Sequence, residues 1–222
     1  MHKFYEDQYA SEIKTTVMDI FTENDQNCVQ VADNIFYPRG GGQKGDKGML
    51  TINKIAYNVV DTVKDPYNEN GILLITTEKI PESEKGQAVL CKLNWEFRNK
   101  QMRLHTAVHL HHCLLEKTAG KKLPVPKVSD IQDGFAFNRY ESAEIAQELV
   151  EKTNQIFRDA IALGAEVKTY PDAEKEGFRW WKCLGFEIPC GGTHIKNIVE
   201  IGEVDIEYKQ KKGMPTINIK LK

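Results

Sequence analysis

The pattern of hydrophobic and polar positions changes near residue 95. Up to Asn94, short runs rich in β-branched and aromatic residues alternate with turn signals; they occupy residues 28–32, 51–63, 72–77 and 88–95. Strand-like runs at such regular intervals are typical of small all-β folds. This part of the chain is therefore predicted to form a small antiparallel sheet or barrel.

After Trp95 the period becomes helical. Positions at helical spacing are Leu104, Val108, His111 and Leu115. They predict a helix that ends at Gly120. A second helix is predicted over residues 142–163. Predicted strands cover residues 134–140, 165–170, 178–183, 202–210 and 216–221, with a hairpin turn at residues 211–213. The predicted fold class is α+β, with a β-barrel domain carrying a Gly-rich loop over residues 1–94 and an α+β domain over residues 95–222.

Composition and charge narrow the classes of protein. The chain has 222 residues, of which 41% are hydrophobic and 28% charged, as in ordinary globular proteins. Lys and Arg number 30 against 32 Asp and Glu, a net charge of -2. This balance argues against a protein that coats nucleic acid, although not against a site that touches a few phosphates.

The same composition predicts a cytoplasmic protein with reduced thiols. The longest apolar stretches, such as residues 72–75, are too short to span a membrane. Acidic residues near the start occupy positions where a signal peptide would be basic and apolar. Five cysteines, an odd number, do not indicate a disulfide framework, so we expect thiols or metal ligands.

Two pairs of residues have the chemistry of a metal site. His105 and His109 are four positions apart on the first predicted helix, so both imidazoles can face one ion. Cys190 and His194 frame a Gly-Gly turn that lets the backbone double back. Imidazole and thiolate are ligands that zinc prefers. The spacing leaves open whether the site is closed by four protein ligands or uses three and a water.

Each half of this pattern also has a simpler interpretation. A histidine pair can belong to an ordinary helix face, and cysteines are commonly buried and inert; only the two halves together favour a metal. His112 falls on the face of His105 and His109 and is expected near the site, whereas His111 falls with the core positions. Thr106 stands where a zinc peptidase of the HExxH type has its glutamate, which disfavours peptidase chemistry.

A glycine-rich segment covers residues 36–48, with the sequence FYPRGGGQKGDKG. Three consecutive glycines let backbone N–H groups approach a ligand, and Gln43 and Asp46 add polar groups at fixed offsets. The segment is neither a P-loop nor a dinucleotide fingerprint. A plain turn remains the alternative.

The motifs HTAVHLHH, CGGTH and YPRGGGQKGDKG together resemble those of the alanyl-tRNA editing family, that is, the editing region of alanyl-tRNA synthetase and its free-standing AlaX-type relatives. The resemblance implies a translation-factor-like β-barrel followed by an α+β editing domain. It also implies one Zn²⁺ per chain, held by His105, His109, Cys190 and His194. Residues expected to contact substrate are Gly40, Gly41, Gly42, Gln43, Asp46, Thr193 and His112.

The implied activity is hydrolysis of tRNA(Ala) charged with the wrong amino acid, with the charged 3′ end as partner and no membrane. Ser-tRNA(Ala) is the expected substrate and Gly-tRNA(Ala) a further one. Since a synthetase pocket cannot strongly reject one added hydroxyl, a separate hydrolytic site is the remedy. At this length no aminoacylation domain is expected, which implies editing in trans.

The chain departs from the family after Gly120. The family often has Gln or Thr close to a Gly-Ser there, whereas residues 121–129 read KKLPVPKVS, and Ser129 could substitute only in a rearranged loop. The motifs therefore predict the activity class, and this segment adds no support for serine selectivity. The alternatives are a tRNA-binding protein with a structural zinc and no hydrolytic activity, and an amidase or peptidase of small substrates.

RNA contacts are expected at basic residues flanking the first helix. These are Arg98, Lys100, Arg103, Lys121, Lys122 and Lys127. The alternative is an ordinary solvated surface. Aromatic residues at 178–182 could stack on the terminal adenosine, although such pairs are more often core.

Overall fold

The computed structural model describes residues 2–211 and 213–222 and divides them into two compact units. One unit contains the described residues up to Gly40 together with Lys44–Asn99. The other contains Gly41–Gln43 together with the described residues of Lys100–Lys222. The predicted domain boundary near residue 95 stays a prediction, and the contacts assign the tip of the glycine-rich segment to the second unit.

The first unit is built on a closed six-stranded barrel, as the sheet-or-barrel prediction allowed. Its strands are β1 (Glu12–Glu23), β2 (Gln26–Val31), β3 (Gly48–Ile52), β4 (Ile55–Lys64), β5 (Ile72–Thr76) and β6 (Ala88–Leu93). They pair antiparallel in the order β1-β2-β5-β4-β3-β6, and β6 returns to β1. A short helix, α1 (Lys3–Glu6), precedes the barrel, and a 3-10 helix covers Glu82–Glu84.

The barrel interior is apolar because alternate strand positions point inward. Its most buried members include Leu50, Ile52 and Leu74, each fully inaccessible. β1 is the longest strand of the unit, and the sequence pattern missed it. It buries only Val17 completely and carries a register shift beside that residue, so its hydrophobic alternation is weak.

The second unit combines two helices with two antiparallel sheets. The helices are α2 (Trp95–Ala119), whose first residues belong to the other unit, and α3 (Gln147–Leu163). One sheet has the order β11-β10-β9, from β9 (Lys168–Pro171), β10 (Arg179–Cys183) and β11 (Phe186–Pro189). The other has the order β12-β13-β8-β7, from β7 (Val128–Ile131), β8 (Phe135–Arg139), β12 (Val204–Lys211) and β13 (Met214–Leu221). A 3-10 helix covers Ile198–Ile201.

The predicted helix ends are correct, whereas one start is wrong. α2 ends before Gly120 and α3 before Gly164, and both glycines have the positive φ typical of helix C-termini, +67° and +74°. α3 begins five residues later than predicted because Ile145 is fully buried and the chain turns to place it in the core. The predicted hairpin turn includes Lys212, which lies outside the described residues.

Two further features concern the helices and the cysteines. Within the described residues no helix is both long and apolar enough to cross a membrane. All five cysteines, which lie in the described part of the chain, are free thiols. Four of them are buried, and only Cys190 is partly exposed.

Candidate metal centre

The four predicted metal ligands come together in the second unit. His105 and His109 lie one turn apart on α2, and their ring centroids are 4.6 Å apart. Cys190 follows β11 and is anchored by its backbone N–H, which donates to the carbonyl of Arg179 at 2.9 Å. With His194, these residues offer four ligand atoms that all lie within 4.8 Å of one another.

The thiol lies between two imidazoles of this group. Cys190 Sγ is 3.5 Å from His105 Nε2 and 3.2 Å from His194 Nε2. His105 and His194 are 3% and 2% exposed, whereas His109 and Cys190 are partly exposed. What exposure the group has therefore comes from His109 and Cys190.

Burial keeps the donors of the group neutral. It lowers the pKa of His105 to about 4 and holds the pKa of His109 and of His194 well below the ordinary value, with neighbouring imidazoles adding to the effect. Burial also raises the pKa of the Cys190 thiol to about 11, opposed by the N–H of Gly192, which donates to the sulfur. The imidazoles thus keep a lone pair for a cation, and a bound cation would favour the thiolate.

The surroundings of His109 Nε2 indicate whether the four candidate ligands fit a metal ion. The atom is buried and has no hydrogen-bond partner in residues 2–211 and 213–222. An unmet buried polar group costs about 1–3 kcal/mol. A metal ion shared with the other three donors would satisfy it, so the residues fit a metal ion.

Gln43 lies inside the candidate centre, against one of the ligand histidines. Its side chain is 2% exposed, and Oε1 lies 3.0 Å from His105 Nδ1 and accepts from the Thr193 N–H at 3.0 Å. Gln43 Nε2 donates to Thr193 Oγ1 at 2.7 Å. Thr193 itself is fully buried. Gln43 and Thr193 thus hydrogen-bond within the protein, and their contacts with substrate stay predictions.

Thr106 is the residue that the sequence analysis missed. It is fully buried on α2, and its Oγ1 lies 3.1 Å from His194 Nδ1. The sequence signal was its place next to His105 on the helix that carries two ligands.

Close approaches explain two of the glycines. A Cβ built on Gly192 would lie 2.1 Å from Cε1 of His105 and 2.9 Å from Oε1 of Gln43, so a side chain has no room there. Gly42 has φ +85°, its Cβ would lie 2.3 Å from the Ser129 carbonyl oxygen, and its own carbonyl accepts from Ile131 N–H at 2.9 Å. Gly42 therefore lies directly against β7.

Known proteins are similar to this chain over most of its length. No protein-family model matches the chain. The alanyl-tRNA editing protein AlaX-M of Pyrococcus horikoshii is 35% identical over 207 residues, which cover 90% of this chain and 87% of AlaX-M. The chain belongs to the alanyl-tRNA editing protein family.

Two further relatives extend this result. AlaX-L of Pyrococcus horikoshii is 29% identical over 233 residues, covering 95% of this chain and 55% of AlaX-L. The alanine–tRNA ligase of Methanococcus aeolicus is 30% identical over 226 residues, covering 91% of this chain and 23% of the ligase. The editing family thus includes both small editing proteins and parts of full ligases.

Asp46 has a structural role in the first unit, and its contact with substrate stays a prediction. Its carboxylate is fully buried, forms an ion pair with Arg98, and accepts from the Tyr37 N–H at 2.6 Å. Arg98 is also fully buried and donates to the carbonyls of Gln8 and Ile35, so the predicted RNA contact of Arg98 is wrong. The charges of Asp46 and Arg98 therefore neutralise each other inside the first unit.

The remaining predicted residues have hydrogen-bond partners or exposure outside the group of four ligands. His112 Nδ1 is 3.2 Å from the Tyr140 hydroxyl, and its Nε2 is 3.9 Å from Glu116 Oε1. Gly40 belongs to the first unit, where its carbonyl accepts from the Tyr37 hydroxyl at 3.2 Å. Gly41 is exposed with φ +59°. Their contacts with substrate stay predictions.

His111 is a core histidine in the editing fold, as its helical position indicated. It is 1% exposed, its Nε2 lies 2.9 Å from Asn154 Oδ1, and its ring packs edge-on against Phe157. Trp181 is also core, with its ring 5.6 Å from that of His109, so it cannot stack on an adenosine. The core interpretation is confirmed for both residues.

The other basic residues near α2 have partners within the protein. Arg103 donates to the Ile201 carbonyl at 2.8 Å. Ion pairs join Lys100 to Asp133, Lys121 to Glu144, Lys122 to Glu116 and Lys127 to Glu141. The four lysines remain at least partly exposed, so their RNA contacts stay a prediction.

Proposed function

We propose that this chain hydrolyses mischarged tRNA(Ala) in trans, with Ser-tRNA(Ala) as the main substrate and Gly-tRNA(Ala) as a further one. The observation that carries the proposal is the group of four ligand atoms within 4.8 Å, in a chain of the alanyl-tRNA editing family. The relatives' names, alanyl-tRNA editing protein and alanine–tRNA ligase, support tRNA(Ala) as the partner.

Zinc is the proposed metal, one ion per chain. Three imidazole nitrogens and one thiolate are a donor set typical of zinc. A tetrahedral zinc ion would separate a nitrogen ligand from a sulfur ligand by about 3.5 Å, given ordinary bond lengths. The separations of Cys190 Sγ from His105 Nε2 and His194 Nε2, 3.5 Å and 3.2 Å, agree with that value.

The metal ion and its candidate ligands would have different roles in ester hydrolysis. When bound, zinc supplies Lewis acidity toward a carbonyl oxygen or a water molecule. His105 and His194 close the buried side against bulk water, and the partly exposed His109 and Cys190 leave the other side to the substrate. No carboxylate belongs to the described ligand group, which supports ester over peptide hydrolysis.

A second candidate is a tRNA-binding protein with a structural zinc and no hydrolytic activity. Four protein donors are the number typical of closed structural sites. The partial exposure of Cys190 favours the deacylase, because a structural thiolate has no need of an open face.

The fold and location are proposed on the same basis. The barrel of the first unit is proposed to be translation-factor-like and the second unit to be the editing domain, with the boundary near residue 95. A cytoplasmic location is proposed because charged tRNA is the proposed substrate.

The direct experiment measures release of serine from Ser-tRNA(Ala) by the metal-loaded protein, with Gly-tRNA(Ala) as second substrate and correctly charged Ala-tRNA(Ala) as control. Serine release well above the rate on Ala-tRNA(Ala) is expected. Absence of serine release from protein with a full complement of zinc would reject the deacylase.

Two cysteine substitutions distinguish the deacylase from the tRNA-binding protein with a structural zinc. Cys190→Ala is expected to stay folded and lose activity if the centre is catalytic, and to unfold if the zinc is structural. Cys28→Ala is the matched control, because Cys28 is a buried thiol of the barrel unit, outside the ligand group. Circular dichroism and metal content are measured for both variants.

A further inference from the structure

In each of the two most buried candidate ligands, His105 and His194, the Nε2 atom faces the Cys190 thiol. The other ring nitrogen, Nδ1, lies within hydrogen-bond distance of a side-chain oxygen. His105 has Nε2 3.5 Å from Cys190 Sγ and Nδ1 3.0 Å from Gln43 Oε1. His194 has Nε2 3.2 Å from the same sulfur and Nδ1 3.1 Å from Thr106 Oγ1. The same arrangement thus occurs twice, with partners from different segments of the chain.

The hydrogen bonds of Gln43 determine where the proton of His105 lies. The backbone N–H of Thr193 can only donate, so the Gln43 atom 3.0 Å from it must be the amide oxygen. That same oxygen faces His105 Nδ1, and an amide oxygen only accepts. His105 Nδ1 must therefore carry the hydrogen, which leaves the Nε2 lone pair for a metal ion.

Thr106 has the corresponding role for His194. A hydroxyl can accept from Nδ1–H, and Nε2 then keeps its lone pair on the side of Cys190. In the wrong tautomer an N–H would point at the cation.

We propose that Gln43 and Thr106 are the positioning residues of the metal centre. Gln43 fixes the tautomer and ring orientation of His105 and joins that helix residue to the turn that carries Cys190 and His194, through Thr193. Thr106 fixes His194. The inference rests on the metal part of the proposed function and not on the RNA substrate.

The test measures zinc affinity by competition with a coloured chelator, together with the visible spectrum of the Co²⁺-loaded protein. Gln43→Met and Thr106→Val remove the accepting oxygens while nearly keeping side-chain volume. Loss of such a partner is expected to weaken zinc binding about 10- to 100-fold. The Co²⁺ spectrum is expected to shift in both variants, because the ligand rings are no longer held.

Conservative variants distinguish positioning from packing. Gln43→Glu and Thr106→Ser keep an acceptor for Nδ1–H, so both are expected to bind zinc within a few-fold of wild type. Thr153→Val is the matched control for Thr106→Val, because Thr153 is a fully buried helical threonine whose hydroxyl donates only to the Leu149 carbonyl in α3. It is expected to leave zinc affinity unchanged.

The outcomes are distinct. Zinc affinities of Gln43→Met and Thr106→Val within twofold of wild type would overturn the inference, as would equal losses in Thr106→Ser and Thr106→Val. If Gln43→Met does not fold, the near-isosteric threonine pair decides. Because affinity is measured without RNA, a wild-type protein that binds zinc but releases no serine would overturn the deacylase alone.

Discussion

A methyl group at position 192 has no room in the metal centre. In Gly192→Ala the new Cβ would lie 2.1 Å from Cε1 and 2.5 Å from Nδ1 of His105. Carbon atoms in good contact are at least about 3.5 Å apart. The turn or the ring must therefore move by about 1.4 Å.

This displacement is larger than the variation in ligand distance that a metal site tolerates. Ligand distances in working sites stay within about 0.2 Å of the ideal values. A shift of the required size removes His105 from the ligand set or separates it from Gln43, whose Oε1 would lie 2.9 Å from the same methyl. We expect zinc affinity to fall at least about 100-fold, or roughly 2.7 kcal/mol. Overpacking should also destabilise the metal-free fold by about 1–3 kcal/mol.

The assay combines zinc competition with a thermal melt of the metal-free protein. Gly40→Ala is the matched control, because its Cβ would lie 3.8 Å from the Tyr37 hydroxyl, an ordinary contact. Gly40→Ala is expected to match wild type in both measurements. Gly42→Ala is expected to lower the melting temperature, since its Cβ would lie 2.3 Å from the Ser129 carbonyl oxygen. A Gly192→Ala protein with wild-type zinc affinity and melting temperature would refute the reasoning.

Three further predictions concern the barrel, the metal and the RNA. Asp46→Asn should cost the first unit about 3–5 kcal/mol in denaturant unfolding, because it leaves Arg98 buried without its counter-charge; Asp19→Asn, which breaks only the exposed pair with Lys85, should cost little, and equal losses would contradict this. A chelator should abolish serine release and lower the melting temperature, and zinc at about 100 times its Kd should restore activity and about 2.7 kcal/mol of stability; activity that survives chelation would exclude a catalytic metal. Affinity for tRNA should fall with salt at a log–log slope no steeper than about -2, as for two or three contacts to single-stranded phosphates; a much steeper slope would indicate a wide basic footprint.

The fold was most predictable where local patterns are strong. The extent of α2 follows from its helical period and from Gly120, whose positive φ ends it. β1 was not predictable in the same way, because its polar side chains obscure the alternation and the barrel supplies its pairing partners. The start of α3 depends on the burial of Ile145, which is a property of the assembled core.

Asp46 shows why a motif position does not reveal its role. A carboxylate next to a run of glycines can contact a substrate, or it can form an ion pair within the protein. The motif does not distinguish these two roles. Its partner Arg98 is 52 residues away in the sequence. Only the folded barrel unit buries the two together, and burial is what makes the ion pair necessary.

The sequence by itself predicted the four candidate ligands, because the spacing of His105 and His109 on a helix and of Cys190 and His194 around a turn is local geometry. The tertiary structure decided what holds them. Gln43 lies 62 residues from His105 and 150 from Thr193, and Thr106 lies 88 residues from His194. Hydrogen bonds over such separations, and the desolvation that keeps the histidines neutral, arise only when the chain packs, so no local pattern could encode them.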